Sequence, residues 1–426
     1  MTEPGQPQNT MSRASIAVAA FSTVLEWYDF TLYLYFATVL SRVFFGAGQT
    51  ALTATLASFA VAYLLRPLGG FVFGHIGDRF GRRRTMLLSV ALMTVTMLGT
   101  ASLPTHAQVG AAAGWLLFLL RCAMGFSVGG EYIAIVAYLL EGAPRHRRGL
   151  ITSLASAFSE VGGLLAVGVS LLTVNSMSSS SLDSWGWRIP FLVGAVLAAT
   201  VWIARTTMQE SPDFERQQAN GTVPKSPLMD ALAKHRAGVL RAFAISALGS
   251  ITYYVGITYV PTFLISVGIL DEGQSLRLST VAAVAVILVT PFAGALSDRL
   301  GRKPVLIFLT IGSAVLPVAL FSLMANGSPS NALFAAVILA CVAGAVSAVG
   351  AIATAEQFPG EGRISGLALG ATTATAIFGG LAPYVAQILT DRTGSTMVPG
   401  AMIAVVAVAV LPVLMTLPET APTKSS

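Results

Sequence analysis

The chain has 426 residues, 54% of them hydrophobic and only 10% charged, with a mean hydropathy of +0.75. Soluble domains carry about 25% charged residues, so this composition excludes a water-soluble domain and describes a polytopic membrane protein. The formal charge of +6 sits in short basic clusters between apolar stretches; it forms no basic face interleaved with aromatics, so no nucleic-acid partner is expected.

A membrane helix needs about 20 mostly apolar residues. Twelve such stretches follow in order: 15–41, 51–73, 85–103, 110–138, 150–173, 187–207, 238–266, 278–296, 305–325, 330–354, 364–390 and 398–416. Turn and charge signals mark their ends, among them Pro104, Gly142-Ala-Pro144, Asn326-Gly327 and Pro359-Gly360. Before the first span the start is short and polar, without a charged–apolar–small cleavage pattern, so residues 1–14 are read as a tail and not as a removed signal. The long interruption 208–237 is rich in Pro, Gln, Lys and acidic residues. It divides an expected six-helix unit, 15–207, from a second, 238–416, and acts as their linker. Residues 417–426 form a second tail.

Orientation follows the distribution of Lys and Arg. With the N-terminus cytoplasmic, the inside segments hold 19 of these residues and the outside segments 4. Both ends, the linker and the basic loops are therefore expected in the cytoplasm of a cell whose plasma membrane, in a bacterium the inner membrane, holds the chain.

One loop pattern occurs twice. Gly74-His-Ile-Gly-Asp78-Arg79-Phe-Gly81-Arg82 returns as Gly294-Ala-Leu-Ser-Asp298-Arg299-Leu-Gly301-Arg302, displaced by 220 residues. A second echo has Glu141 and Arg148 seven apart and Glu356 and Arg363 seven apart, both displaced by 215. Two displaced patterns in the same order imply a duplicated membrane unit, and secondary transporters place their sites between such units. Simple positive-inside anchoring accounts for the Arg residues but not for Asp78 and Asp298 beside paired glycines. These loops, with Asp78, Arg82, Asp298, Arg302, Glu141, Arg148, Glu356 and Arg363, are read as ion-paired clamps that hold in one access state and break in the other.

Ionisable groups in a bilayer core are costly and mark function by default. Six lie well inside spans: Glu26, Asp29, Arg66, Arg121, Glu131 and Glu160, all in the first half. At about 1.5 Å per residue, Asp29, Arg121 and Glu160 fall near mid-depth, while Arg66 and Glu131 fall lower, toward the cytoplasm. Glu26 and Asp29 are three apart on one helix face, with Tyr33 a turn further. Glu26, Asp29, Glu131 and Glu160 are candidates for proton coupling, because a buried carboxylate can exchange an Arg partner for a proton. The alternative is a permanent ion pair that fixes helix packing. Arg121, with Asp29, Tyr33, Tyr253 and Tyr254, is the candidate substrate site; Arg66, before Pro67 and Gly69-Gly70, is read as structural or gating. Trp27, Tyr28, Tyr253 and Tyr254 are either packing aromatics or a wall for a methylated ammonium. The second half offers neutral polar groups, including Ser246, Ser250, Thr372 and Thr375. Cys122 and Cys341 lie in spans and read as packing residues; the four histidines fall on loops or span ends. No phosphate-binding glycine loop, metal-spaced set or Ser/His/Asp arrangement is present. No cofactor is expected, and energy coupling should be ionic.

Together these residues resemble the major facilitator superfamily, the two loop copies matching its signature. More narrowly the chain is similar to the metabolite:proton symporter family in Glu26-Trp-Tyr-Asp29-Phe30, Arg66-Pro-Leu-Gly69-Gly70, Arg121-Cys-Ala-Met-Gly125, Gly129-Gly130-Glu131, Trp185-Gly-Trp187-Arg188, Glu210-Ser-Pro-Asp-Phe214 and Phe378-Gly379-Gly380. The resemblance implies an all-α fold of twelve helices in two pseudo-symmetric bundles, alternating access, and proton-driven uptake of small organic acids or of proline- and betaine-like zwitterions by a functional monomer. The chain departs from the family in Tyr132-Ile133 after the span-four Glu, and in Glu160 where many members carry Gln. The leading expectation is a proton-coupled importer of a small carboxylate-bearing metabolite. A proton-antiport exporter is the alternative; the fifth span has glycines but lacks the proline of exporter signatures. A non-transporting sensor is a third class, which lacks here the long appended domain such proteins carry.

Overall fold

A computed structural model describes residues 11–46, 49–270 and 272–421. Among these residues, eleven helices are long and apolar enough to cross a bilayer: α2 (Ala57–Phe80), α3 (Arg82–Ala101), α4 (Ala112–Gly142), α5 (Arg145–Asn175), α6 (Arg188–Thr206), α7 (Arg236–Thr258), α8 (Arg277–Leu300), α9 (Arg302–Asn326), α10 (Pro329–Ala355), α11 (Arg363–Thr393) and α12 (Val398–Met415). The preceding helix α1 (Arg13–Tyr35) carries Arg13, Glu26 and Asp29 and completes the twelve. They form two six-helix bundles, α1–α6 and α7–α12.

Several boundaries differ from the sequence expectation, each for a local reason. The repeated pattern is not an open loop. Helix α2 runs to Phe80 and α3 starts at Arg82, while α8 runs to Leu300 and α9 starts at Arg302. The single intervening residues, Gly81 and Gly301, have φ +108° and +106°, a conformation that L side chains rarely adopt. The seventh span, expected to run to 266, breaks earlier. It ends in a π-helical turn, Tyr254–Thr258, and a new short helix, Val260–Ser266, starts with Pro261 in its first turn. The segment expected as linker holds two short helices, Pro212–Asn220 and Pro227–Lys234. Lys424, counted with the basic residues, lies outside the described residues.

Large apolar side chains such as Phe308, Leu288 and Val196 are left exposed on the flanks of the bundle. In water such faces would associate; here they form the lipid-facing surface. Lipid supplies no hydrophobic drive between helices, so close packing relies on small residues. A Cβ on Gly69 would stand 1.8 Å from the Phe126 carbonyl oxygen, and one on Gly129 would stand 1.9 Å from that of Arg66. The glycines after Arg66 and Arg121 therefore let α2 and α4 touch backbone to backbone, which fixes the position of Arg66.

The halves meet by the same device. A Cβ on Gly149 of α5 would stand 2.3 Å from the Gly294 carbonyl oxygen of α8, and one on Gly294 would stand 2.5 Å from that of Gly149. At the basic end, an apolar cluster joins both halves, with Ile133, Val136 and Leu140 against Ile352, Phe358, Ile364 and Leu367.

Candidate functional site

A cavity of about 170 Å³ lies between the bundles. The first half contributes Glu26 and Trp27 from α1, Arg66 from α2, Tyr132 from α4 and Glu160 from α5. The second half contributes Ser246, Ser250, Tyr253 and Tyr254 from α7, and Thr372 and Thr375 from α11. The charge asymmetry read from the sequence is thus a property of the chamber walls: one is ionic, the other hydroxyl-bearing and neutral.

Each buried first-half acid has a distinct partner. Asp29 is held by two parallel hydrogen bonds from the Arg121 guanidinium, 2.9 Å and 3.0 Å long. The Tyr33 ring lies 5.1 Å from Arg121, and the Tyr33 hydroxyl donates to the Thr55 carbonyl. This trio is buried inside the first half and does not line the chamber. The expectation that Arg121, Asp29 and Tyr33 meet substrate is therefore not matched by their placement, because the Arg121 fork is already turned onto Asp29.

Arg66 stands in the place expected for Arg121. It lines the chamber, pairs with Glu26 at 3.5 Å, and stacks over the Tyr63 ring at 4.2 Å. The sequence reading places it lower, as a structural or gating residue, because the second span is expected to end at 73; the helix runs on to Phe80, seven residues further. Glu131 differs again. Arg205 donates to one of its oxygens and Ser89 to the other, and Arg205 also donates to Ser22 Oγ and the Met86 carbonyl. Arg205 is fully buried. Its place near a span end made it look like a topology residue; moving it leaves 18 inside basic residues against 4. Glu160 accepts a hydrogen bond from the Tyr253 hydroxyl, across the interface between the halves.

Of the aromatics, Trp27 and Tyr253 pack at 5.1 Å between ring centroids, and both line the chamber with Tyr254. Tyr28 does not: it is buried in the first-half core and donates to the Pro190 carbonyl. Tyr254 hydrogen-bonds Tyr63 hydroxyl to hydroxyl, and Phe30 and Phe59 extend this aromatic layer.

The basic end is closed by two matched clamps. Asp78 accepts from the backbone N–H groups of Ile364 and Ser365, 3.2 Å and 2.8 Å away, at the start of α11. Asp298 accepts from Gly149 and Leu150, 2.8 Å and 2.9 Å away, in the first turn of α5. Each carboxylate thus sits on the positive N-terminal end of a helix in the opposite half. Glu141 binds both Arg82, at 3.1 Å, and Arg363, at 2.6 Å. Arg82 also donates to the Gly360 carbonyl. In the second copy Arg302 binds Asp298 at 2.8 Å and Glu356 at 3.3 Å. Arg148 forms no such ion pair among the described residues, so the second clamp is the looser one. Two further acids are given no site role by the sequence reading, although Glu210 stands in one of the runs that carry the resemblance. Glu210 accepts from the backbone N–H groups of Arg82 and Arg83, and Glu419 from those of Arg302 and Lys303. They lie 209 residues apart, a displacement close to that of the loops they cap, and that spacing was the available signal.

A chamber with a few ionic and hydroxyl groups between two duplicated helical halves, bridged by hydrogen bonds and ion pairs at one end, is the arrangement of a secondary transporter. Residues 15–222 match the family described as Sugar (and other) transporter, and residues 269–426 match the Major Facilitator Superfamily. The alpha-ketoglutarate permease of Escherichia coli (strain K12) is 34% identical, over 88% of this chain and 87% of that protein. The ectoine/proline transporter ProP of Corynebacterium glutamicum is 34% identical, over 91% of this chain and 80% of its own length. Among solved structures, the proton:xylose symporter XylE bound to 6-bromo-6-deoxy-D-glucose superposes with a TM-score of 0.80 at 20% identity, covering 96% of each chain. The chain belongs to the major facilitator superfamily. It is a transporter, as these relatives are, and a multi-pass membrane protein.

Proposed function

We propose that the chain is a proton-coupled importer of a small carboxylate-bearing metabolite, an organic acid or a proline- or betaine-like zwitterion, working by alternating access. The observation that carries this reading is Arg66. It is a chamber-lining guanidinium with one long ion pair, so it retains donors for an incoming carboxylate. The named substrates of the two relatives, alpha-ketoglutarate and proline, both bear one. The Asp29–Arg121 pair is assigned to proton coupling, since protonation of Asp29 would neutralise the acid and release the guanidinium. Glu131, with both oxygens engaged away from the chamber, is assigned to packing. The basic end is taken as cytoplasmic, with both termini there, in the bacterial inner membrane; the two clamps then describe a state closed to the cytoplasm. The unit of function is taken as a monomer that needs only substrate, protons and lipid.

The test is uptake into proteoliposomes under an imposed inward proton gradient, with labelled 2-oxoglutarate, citrate, shikimate, proline and glycine betaine. Gradient-driven accumulation of one solute, abolished in Asp29→Asn, is expected. Expulsion of a solute against the proton gradient, with no accumulation, would move the reading to an antiporter.

A further inference from the structure

The charge balance of the buried acids is uneven. Glu26 faces Arg66, Asp29 faces Arg121 and Glu131 faces Arg205. Glu160 has only the Tyr253 hydroxyl, and no cationic side chain pairs with it among the described residues. The chamber wall therefore carries two carboxylates, Glu26 and Glu160, against one guanidinium.

Two orphaned atoms make the demand specific. Glu26 is 3% exposed and lines the chamber, and its Oε2 has no hydrogen-bond partner. Trp27, its neighbour on the same wall, has a buried Nε1–H without a partner. A buried carboxylate oxygen left unbonded is costly, and more so than a neutral group. What satisfies it must be a donor, and what satisfies Trp27 an acceptor. We propose that the chamber recognises a zwitterion whose ammonium carries at least one N–H, with Glu26 Oε2 and Glu160 on the ammonium side and Arg66 with Trp27 Nε1 on the carboxylate side. This inference rests on the importer reading and narrows it. A nitrogen-free dicarboxylate or tricarboxylate leaves Glu26 Oε2 without a donor and faces two like charges. A fully methylated ammonium satisfies the charge but not the hydrogen bond.

The test keeps the ring, the carboxylate and the charge constant and replaces N–H groups by methyls one at a time, with Glu26→Gln separating the lost hydrogen bond from the added bulk. Proline, N-methylproline and N,N-dimethylproline offer two, one and no N–H. Competition against the best-transported solute is measured with the full chain in proteoliposomes, alongside 2-oxoglutarate. The expected order is proline, then N-methylproline, then N,N-dimethylproline, with the last weaker by about tenfold or more, the scale of a charged hydrogen bond. In Glu26→Gln the spread should narrow to within about threefold, with Glu160→Gln weakening the three together. Thermal unfolding in detergent checks that both variants fold, and the wild-type series decides the matter if either does not. N,N-dimethylproline equal to or better than proline overturns the inference. Uptake of 2-oxoglutarate without competition by any of the three overturns it while the importer reading stands. Absence of gradient-driven uptake of every solute overturns both.

Discussion

At the scale of single residues, the site is a set of acids told apart by their partners. A buried ion pair is weak evidence of stability, because desolvating both charges offsets most of their attraction, yet removing one partner leaves the other stranded. The Glu131–Arg205 pair is the clearest case, being fully buried and bonded to Ser22, Ser89 and the Met86 carbonyl. Arg205→Met should lower stability by about 3–5 kcal/mol. Adding Glu131→Gln should recover most of that loss, a coupling that contact between the two requires. Thermal or denaturant unfolding of both variants in detergent reads the difference, and simple additivity would show that the pair does not act as one unit.

At the scale of elements, the helix ends carry the design. Helices α3 and α9 each start after a positive-φ glycine, and each has an acid from beyond the sixth or twelfth helix on its first backbone N–H groups. Partial burial works to raise the Glu419 carboxyl, but backbone N–H groups of Ala421, Arg302, Lys303 and Thr420 hold it below its usual value. A lowered carboxyl contributes stability that is fully present above its unfolded value, about 4.3, and lost as pH falls through the folded one. Protection of the Arg302 and Lys303 amides, with exchange taken relative to the intrinsic rate at each pH, should therefore be high at neutral pH and fall on acidification below about pH 4. Glu419→Gln should show the lower protection at neutral pH and meet the wild type in acid; unchanged protection at neutral pH would remove the cap. The cavity-facing helices differ in another way. Helix α11 contains two π-helical turns, Ala368–Thr372 and Ala376–Gly380, around the chamber residues Thr372 and Thr375. Such turns loosen the backbone ladder where a helix must bend.

At the scale of the whole molecule, two sets of hydrogen bonds join the halves at the basic end. Asp78→Asn or Asp298→Asn weakens two charge-assisted bonds to a facing helix start. Each should shift the equilibrium toward opening of the basic end by about tenfold or more. The less heavily paired Asp298 side should open further. Spin-label distances across that end, in a chain with Cys122 and Cys341 replaced by Ala, measure this; an unshifted distribution in both variants would leave the clamps as mere anchors. The twelve crossings, the duplication and the six in-span charges could be read from the sequence because hydropathy and displacement are one-dimensional. Partnership is not. The spacing of seven that repeats in Glu141/Arg148 and Glu356/Arg363 marks the duplication but names no partner, and Glu141 binds Arg363 of the other copy. Arg205 looked peripheral because it is close to a helix end, although the third helix and Glu131 enclose it. The exchange of Arg121 for Arg66 at the chamber follows from the second helix running to Phe80, seven residues past its expected end at 73, which sets Arg66 deeper.

The duplicated caps have a consequence for assembly. Glu210 fastens the end of the first bundle to its own α3, and Glu419 does the same for the second with α9. Each half is thereby finished by a residue of its own. The stretch between the two short linker helices contributes little: a Cβ on Gly221 would meet nothing within 4 Å. A gene cut between the codons for Gly221 and Lys225 should therefore yield two polypeptides that insert separately and reassemble into a working transporter, whereas a cut before Glu210 should yield a first fragment that the cell degrades.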